Sequence, residues 1–226
     1  MKILILGRGK TGNLVAEVAR QRGHRVQVAG SSDNLNGSAL TPSNLRDVEV
    51  VLDFTTPAAV IENIKACVRA GKNMVVGTTG WYSELANMHE MVKKSGTGFI
   101  YGANFSIGMN LFFEITRTAA TATTYGYHGQ IFERHHKDKK DAPSGTALAI
   151  QKLLRDIGGQ ELEIISFREG DVVGMHEVVL ESPHDTIYVC HDAVSRRGFA
   201  EGAVKAAEWL QGKTGFFDFK DIWRDL

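Results

Sequence analysis

The sequence has few of the features that mark secreted, membrane-bound or strongly basic proteins. Its two cysteines, Cys67 and Cys190, are too few for a disulfide framework or a cysteine-rich metal site, which favours a reducing, cytoplasmic setting. Lysine plus arginine and aspartate plus glutamate each number 26, so the formal net charge is zero. A neutral balance argues against a general binder of nucleic acids or membrane surfaces.

Long apolar runs are also missing. No run approaches the roughly 18 residues that a membrane-spanning helix needs. The run Ile3–Leu6 is too short for the core of a signal peptide, so we expect no targeting segment. We therefore expect neither a membrane partner nor a nucleic-acid partner.

The first hundred residues alternate between apolar runs and helical periodicity. This alternation, with turn residues between the segments, predicts an α/β fold with a Rossmann-like doubly wound parallel sheet. The predicted strands are Ile3–Leu6, His24–Ala29, Val48–Phe54, Met74–Val76 and Phe99–Tyr101, with helices over 13–22, 57–71 and 82–95 and a loop over 30–46.

After about residue 103, predicted strands and helices no longer alternate regularly. This change predicts a second, smaller α+β domain with a mixed sheet. Its predicted strands are 130–133, 162–168, 176–182 and 186–192, and its predicted helices are 107–121 and 144–157. A charged loop is expected over Arg134–Asp141. A helix over 198–211 and a short aromatic tail follow.

A glycine motif lies between the first strand and the first helix. The run Gly7-Arg8-Gly9-Lys10-Thr11-Gly12 has the spacing G-x-G-x-x-G, which lets the backbone approach a pyrophosphate at a helix N-terminus. It predicts dinucleotide binding, with a purely structural turn as the alternative. A phosphate-binding loop of the nucleotide hydrolases is excluded, because its first glycine would fall at Leu4.

The residues after the second strand bear on the choice of cofactor. Ser31 and Ser32 would suit the 2′-phosphate of NADPH, although no arginine follows them. Asp33 would accept hydrogen bonds from the ribose hydroxyls of NADH, but it stands late for that role. The sequence therefore allows either NADPH or NADH as the cofactor. The two serines favour a protein that uses NADPH or that uses both.

Two further segments follow predicted strands. Gly77-Thr78-Thr79-Gly80 comes directly after the fourth strand, and Asn104 and Ser106 follow the fifth. Ligands of open parallel sheets bind at this carboxyl edge, so these residues are candidates for a nicotinamide pocket. The alternative is an ordinary turn that enters a helix.

The stretch from Arg134 to Thr146 is the most informative. Four basic side chains and two histidines fall within seven residues of a neutral protein. Ser144 is a natural helix N-cap that leaves the N–H groups of Gly145 and Thr146 free, and free amides beside Lys139 make an anion site for a carboxylate or phosphate. His135 and Lys139 are candidates for proton transfer. The alternative is a solvated basic loop before a capped helix.

A metal site is not expected. The segment His176-Glu177-Val178-Val179-Leu180 lacks the second histidine of an H-E-x-x-H motif, and His135-His136 lacks the spacing of helical metal ligands.

With these motifs in view, the sequence resembles the 4-hydroxy-tetrahydrodipicolinate reductase (dihydrodipicolinate reductase) family of diaminopimelate and lysine biosynthesis. The segments that carry the resemblance are Gly7–Gly12, Asp53–Thr55 with Pro57, Gly77–Gly80, Asn104–Gly108, Glu133–Arg134–His135–His136 through Lys139, Asp141–Ala147, Gly174–His176, His191–Ala193 with Arg196, and Phe199–Ala203.

The resemblance implies two domains that form a homotetramer. Residues 1–103, completed by 194–226, would bind NADPH or NADH, and residues 104–193 would bind a small dicarboxylate substrate and mediate oligomerisation.

The resemblance also implies roles for individual residues. His135 would be the proton donor or acceptor and Lys139 the general acid. Substrate would be bound by His136, Ser144, Gly145 and Thr146. The cofactor would be contacted by Gly7, Arg8, Gly9, Lys10, Thr11, Gly12, Ser31, Gly77, Thr78, Thr79, Ala103, Asn104 and Phe105.

Two departures from the family pattern concern the cofactor. The glycine turn is one residue shorter than usual and carries Lys10 where the family has arginine, which keeps the charge but loses the planar fork. Ser31 and Ser32 stand where the family often has an acidic residue and arginine.

Two other functions remain open. The first is a different NAD(P)-dependent oxidoreductase of an amino or keto acid, which would share the glycine turn but would not need the segment from His135 to Thr146. The second is a non-catalytic module that senses dinucleotides.

Overall fold

The computed structural model describes residues 1–35 and 37–226, which form two compact units. The first comprises Met1–Ile107 and Arg197–Leu226, and the second comprises Gly108–Arg196. The predicted boundaries lie after residues 103 and 193, a few residues before those of the structure. Among the described helices, none has both the length and the apolar character needed to traverse a bilayer.

The described residues of these units contain ten strands and eight α-helices. The strands are β1 (Lys2–Leu6), β2 (Arg25–Ala29), β3 (Val50–Asp53), β4 (Asn73–Val76), β5 (Gly98–Tyr101), β6 (His128–His135), β7 (Glu163–Arg168), β8 (Met175–Glu181), β9 (Thr186–Asp192) and β10 (Gly215–Asp218). The helices are α1 (Lys10–Gln21), α2 (Pro42–Leu45), α3 (Pro57–Arg69), α4 (Leu85–Ser95), α5 (Ile107–Ala119), α6 (Gly145–Gly158), α7 (Arg197–Trp209) and α8 (Phe219–Ile222).

The first unit is built on a six-stranded parallel sheet in the order β2–β1–β3–β4–β5–β10. Its inner strands β1, β3, β4 and β5 are buried on both sides, because successive side chains alternate between two cores. Ile5 and Leu52 lie in the core shared with α1 and α7, whereas Leu6 and Val51 lie in the core shared with α3 and α4. The predicted Rossmann-like doubly wound sheet is confirmed.

All strands of this sheet end at the same edge. The chain crosses from one side of the sheet to the other between β1 and β3, which is the topological switch point of the fold. The loops that follow β1, β2, β3 and β4 therefore converge where a ligand of such a sheet binds.

Two glycines allow the chain to turn tightly between β1 and α1. Gly7 has a φ of +107°, and a Cβ atom there would lie 2.2 Å from the carbonyl oxygen of Phe54. A Cβ atom on Gly12 would lie 2.1 Å from the carbonyl oxygen of Gly7. No side chain fits at either position, so the motif fixes how closely α1 approaches the end of β1.

The second unit is a four-stranded mixed sheet covered by helices on one face. Its order is β7–β6–β8–β9, with β6 and β7 parallel and the other pairs antiparallel. Phe112 of α5 and Leu154 of α6 share a core with Ile131 and Val178 of the sheet. The predicted smaller α+β domain with a mixed sheet is confirmed.

The charged loop predicted over 134–141 begins later than expected. Strand β6 continues through His135, because Arg134 and His135 pair with Phe167 and Arg168 of β7. Hydrogen bonds to a neighbouring strand extend β6 where the local sequence reads as polar loop.

Other boundaries also differ from the predictions. The predicted aromatic tail contains β10, whose Phe216 and Phe217 pair with β5 as a sixth strand. Helix α1 begins at Lys10 rather than at residue 13. The predicted loop over 30–46 includes the short helix α2, whose first turn is capped by the hydroxyl of Thr41.

The glycine turn yields a prediction about stability. Replacing Gly12 by alanine should lower the free energy of unfolding by about 1–3 kcal/mol, because the new methyl group meets a backbone carbonyl. Gly9→Ala is the matched control, since nothing lies within 4 Å of its Cβ position. Urea denaturation followed by far-ultraviolet circular dichroism measures both variants. Equal stability of Gly12→Ala and wild type would contradict this packing.

Candidate active site

A cleft of about 610 Å³ opens at the carboxyl edge of the parallel sheet. It is lined by the loops after β1, β2 and β3 and by the start of α3. Among the predicted cofactor residues, Gly7, Arg8, Gly9 and Ser31 line it. Its volume lies in the range of small-molecule and cofactor sites.

The beginning of α1 suits a diphosphate group. Gly9 is the N-cap and makes no side-chain capping bond, so the first N–H groups of the helix, those of Lys10 and Thr11, lack intrahelical acceptors. No atom lies within 4 Å of the Cβ position of Gly9, so this side of the backbone is open. A phosphate group needs such open space to approach the backbone closely. A dinucleotide therefore fits this edge of the sheet.

A second, smaller cleft of about 210 Å³ lies near the end of β4. Thr11, Gly77, Thr78 and Thr79 line it, together with Phe54. A Cβ atom on Gly77 would lie 2.1 Å from the ring of Phe54, so that position has to be glycine for the ring to keep its place. The predicted nicotinamide-pocket residues after β4 thus surround one cleft.

The remaining predicted cofactor residues follow β5. Ala103 is exposed and Asn104 half-buried, and the side-chain oxygen of Asn104 accepts a hydrogen bond from the backbone N–H of Ser106 at 2.9 Å. Phe105 is fully buried and meets Phe54 edge-on at 6.5 Å, so its side chain serves packing.

Sequence reasoning assigned no role to Asp53 by itself, yet its buried carboxylate organises this edge. The hydroxyls of Thr55 and Thr78 donate hydrogen bonds to Oδ1 at 2.7 and 2.6 Å, and the amide of Asn63 donates to Oδ2 at 2.8 Å. The Thr78 hydroxyl is thereby occupied within the protein. An acidic residue at the end of an otherwise apolar strand, followed by threonines, was the available signal.

In the second unit, the buried carboxylate of Glu133 lies at the centre of the predicted catalytic residues. Its Oε1 accepts hydrogen bonds from Arg168 at 2.7 Å and from the backbone N–H of Ser144 at 3.2 Å. Burial raises its pKa, but the Arg168 guanidinium, the nearby Ser166 hydroxyl and the charge of His135 together outweigh burial and bring the pKa to about 2. Glu133 is therefore a permanent anion, which sequence reasoning did not single out.

His135 contacts the other oxygen of the same carboxylate. Its Nδ1 lies 2.5 Å from Glu133 Oε2, and its Nε2 faces Gly174. Burial lowers the pKa of His135 and prevails over the opposing effect of Glu133. The imidazole is therefore neutral near pH 7. Because Nδ1 lies against the carboxylate, Nε2 is the ring nitrogen that faces away from Glu133.

Ser144 starts helix α6 as predicted. Its hydroxyl accepts the N–H of Ala147 at 3.2 Å and also lies 3.2 Å from Nε2 of His176. The Ser144 side chain is only 2% exposed, and both of these contacts are internal. The first-turn N–H groups of Gly145 and Thr146 have no intrahelical acceptor, which leaves them for an anion.

Lys139 lies on the loop between β6 and α6. Its Nζ donates to both carboxylate oxygens of Asp141, at 2.8 and 2.9 Å, and this contact lowers the pKa of Asp141. The backbone N–H of Lys139 donates to the carbonyl of His136 at 3.1 Å. The carbonyl of Asp141 in turn accepts from Arg168 at 2.5 Å, so hydrogen bonds tie this loop to the Glu133 cluster.

His176 completes the cluster from strand β8. It pairs in register with Glu133, and its ring meets that of His135 edge-on at 5.1 Å. Burial, reinforced by the charge of His135, lowers the pKa of His176 to about 4.

Among the described residues, Glu133, His135 and His176 form the one group whose ligand atoms, within 4.8 Å of one another, are spaced for a metal ion. The Glu133 carboxylate already accepts two hydrogen bonds, and one donor is the Arg168 cation. A positive guanidinium at that distance opposes a metal ion, so the arrangement favours a protein ion-pair network.

Comparison with known proteins addresses both units. Residues 1–105 match the family model for the dihydrodipicolinate reductase N-terminus, and residues 108–223 match the model for its C-terminus. A 4-hydroxy-tetrahydrodipicolinate reductase of Christiangramia forsetii is 38% identical over 100% of this chain and 99% of that protein. Another, from Neisseria meningitidis serogroup B, is 35% identical over 79% of this chain and 73% of that protein.

The fold is also shared with solved structures. A dipicolinate-bound dihydrodipicolinate reductase from Paenisporosarcina has a TM-score of 0.79 and 22% identity, covering 98% of this chain and 99% of that one. A probable dehydrogenase from Thermotoga maritima has a TM-score of 0.61 and 13% identity, covering 99% and 93%. At these identities the structures support the fold. The two family models and the full-length relative show that this chain belongs to the dihydrodipicolinate reductase family.

Proposed function

We propose that the protein reduces 4-hydroxy-tetrahydrodipicolinate to tetrahydrodipicolinate with loss of water, using NADPH or NADH, in diaminopimelate and lysine biosynthesis. Membership of the family supports this reaction. The observation that carries it is the cluster of polar contacts around Glu133, which joins His135 and, through Asp141 and Arg168, Lys139 to the beginning of helix α6. The cluster provides an anion site and proton-transfer groups within one unit.

We assign the cofactor to the first unit and the substrate to the second. Gly7–Gly12 and Ser31 would hold the diphosphate and adenosine parts, and Gly77–Thr79 with Ala103–Phe105 would surround the nicotinamide. The open backbone at Gly9 and the free amides of α1 support this assignment.

The substrate is a dicarboxylate, so the second unit must bind negative charge. The free N–H groups of Gly145 and Thr146 would bind one carboxylate, with His136 beside them. Ser144 would act by capping the helix and holding those amides in place, since its own hydroxyl is buried. Cationic Lys139 adds attraction for the same anion.

Reduction of the C=C–C=N system left after water loss adds one hydride and one proton. The hydride would come from NADPH or NADH when either is bound. Lys139 would supply the proton and stabilise the negative charge that develops on the ring, with Asp141 holding its ammonium group. His135 would exchange protons through Nε2, while Glu133 fixes the tautomer by contacting Nδ1.

We further propose a homotetramer in the cytoplasm. One face of the mixed sheet is covered by helices, whereas Phe167 and Tyr188 are 41% and 66% exposed. Large exposed aromatic side chains on a sheet are typical of a protein interface. The two free cysteines agree with a reducing compartment.

Steady-state kinetics test the function. The purified protein should oxidise NADPH or NADH rapidly only when the dihydrodipicolinate precursor is present. Oxidation with another amino or keto acid instead would favour a different oxidoreductase. Cofactor binding without turnover of any substrate would favour a sensing module. Either outcome would contradict the proposal.

Replacing Lys139 by alanine should lower kcat by roughly 10²–10⁴-fold, because the variant lacks the general acid. The dissociation constant of NADPH should stay the same, since Lys139 belongs to the substrate unit. Lys140→Ala is the control, because it removes an exposed positive charge from the same loop. Turnover of Lys139→Ala at the wild-type rate would refute the role of Lys139.

The buried imidazole of His176 predicts a dependence of stability on pH. Its pKa falls from 6.5 to about 4 in the folded state, so between these values the unfolded chain binds a proton that the folded protein does not. The free energy of unfolding should therefore decrease as pH falls from 6.5 to 4, by up to about 3 kcal/mol.

His176→Asn should reduce this pH dependence, because asparagine does not titrate. His128→Asn, at an exposed position of β6, should leave it as in wild type. Urea unfolding at a series of pH values measures the slope. Identical slopes for wild type and His176→Asn would show that His176 does not titrate as inferred.

A further inference from the structure

The carboxylate of Asp53, at the end of β3, is completely buried and accepts hydrogen bonds from two sides. Its Oδ1 accepts from the hydroxyls of Thr55 and Thr78 and, at 3.1 Å, from the backbone N–H of Thr55. Its Oδ2 accepts from the side-chain amide of Asn63, which belongs to α3. The two threonines border the smaller cleft and Asn63 borders the larger one, so Asp53 lies between the two clefts.

A backbone group fixes the direction of the hydrogen bonds at Asn63. The N–H of Ala39 donates to the side-chain oxygen of Asn34 at 3.2 Å, so the amide nitrogen of Asn34 donates to Oδ1 of Asn63 at 2.9 Å. The amide nitrogen of Asn63 is then directed at Asp53 and lies 2.8 Å from Oδ2. Position 53 therefore needs an acceptor at both of its side-chain termini, which a carboxylate provides and an amide does not.

The turn after β4 is attached to the same residue. The backbone N–H groups of Gly77 and Thr78 donate to the carbonyl oxygen of Asp53, at 2.9 and 3.3 Å. The Thr78 hydroxyl donates to the Asp53 carboxylate at 2.6 Å and accepts the N–H of Thr55 at 2.8 Å. The Thr78 carbonyl accepts the indole N–H of Trp81 at 2.8 Å. The N–H, the carbonyl and the hydroxyl of Thr78 are thus all bonded within the protein.

We propose that Asp53 is a positioning residue for the nicotinamide half of the cofactor. It holds the turn Gly77–Thr79 in place through the hydroxyl of Thr78, which supports the turn and does not contact the ring. The exposed Thr79 is then the threonine of this turn whose side chain can meet the cofactor. The inference rests on the proposed binding of NADPH or NADH and names the group that prepares their site.

Isothermal titration calorimetry on the intact chain tests this inference. Each dinucleotide is compared with the same molecule without its nicotinamide ring: NADPH with 2′-phospho-ADP-ribose, and NADH with ADP-ribose. The ratio of the two affinities, here called the nicotinamide ratio, measures what the ring contributes to binding. A general loss of structure would weaken both members of a pair alike, whereas a misplaced turn would lower the ratio.

Asp53→Asn should reduce the nicotinamide ratio by about tenfold, as loss of a charge-assisted hydrogen bond implies. Thr78→Val replaces the hydroxyl by a methyl group of similar size and should reduce the ratio by a similar factor. The variant with both substitutions should lose no more than either single variant, because both remove the same link. Losses that multiply would show that the Thr78 hydroxyl contacts the ring independently of Asp53.

Exchanging the two side chains provides a rescue. When Asp53→Asn is combined with Asn63→Asp, the amide at position 53 can donate to the carboxylate at position 63, which still accepts from Asn34. The oxygen at position 53 still accepts from Thr55 and Thr78. The exchange reverses one hydrogen bond and keeps all the others, so its nicotinamide ratio should exceed that of Asp53→Asn and approach the wild-type value.

Asn73→Ala is the matched control at the opposite end of β4. The side chain of Asn73 accepts the N–H of Gly98 at 2.8 Å and donates to the carbonyl of Leu210 at 3.3 Å. Its removal should lower stability without reaching the turn after β4, so the nicotinamide ratio should stay as in wild type. Circular dichroism and urea midpoints establish that each variant is folded and rank their stabilities.

Three results would overturn the inference: an unchanged ratio in Asp53→Asn, losses that multiply when Thr78→Val is added, or an exchange variant whose ratio is as low as that of Asp53→Asn. If Asp53→Asn does not fold, an unchanged ratio in Thr78→Val has the same meaning. These outcomes are independent of the reductase assay. The expected pattern of ratios would support the inference even if the precursor were not reduced, and an unchanged ratio would leave the proposed reaction intact.

Discussion

The buried carboxylate of Glu133 constrains the whole second unit. A negative charge that is buried away from water must be stabilised by hydrogen-bond donors. For Glu133 these donors are the side chain of Arg168 from β7 and the backbone N–H of Ser144. His135 lies against its second oxygen. Meeting that requirement places the N-terminus of α6 beside the end of β6, so the same contacts that satisfy the charge also position the proposed anion site and the ring of His135.

We propose that both units bind an anion at the beginning of a helix, and the two helix ends are built differently. Helix α1 follows glycine, and its N-cap makes no side-chain bond, so the backbone is open to a diphosphate. Helix α6 follows Ser144, whose hydroxyl caps Ala147 and is held next to His176. The second helix keeps fewer free amides, because Ser144 caps one of them, and we propose that the remaining ones bind one carboxylate of a small substrate.

Charge in this protein is organised locally rather than over the surface. The net charge is zero, yet basic side chains concentrate between Arg134 and Lys140. Arg134 pairs with Glu169 and Lys139 with Asp141, so the neighbouring acids hold these cations in position. The pairing of Arg8 with Asp33 repeats this arrangement in the first unit.

The sequence by itself determined the doubly wound sheet, the glycine turn and the helix cap at Ser144, because these depend on local periodicity and on side chains bonded to nearby backbone. It did not determine that β6 extends through His135, that the tail adds a sixth strand, or that Arg8 meets Asp33. Those features depend on partners distant in the chain: β7 for His135, β5 for the tail, and the loop after β2 for Arg8. Only the tertiary structure brings such groups together, since strand pairing and ion pairing are decided by distance in space.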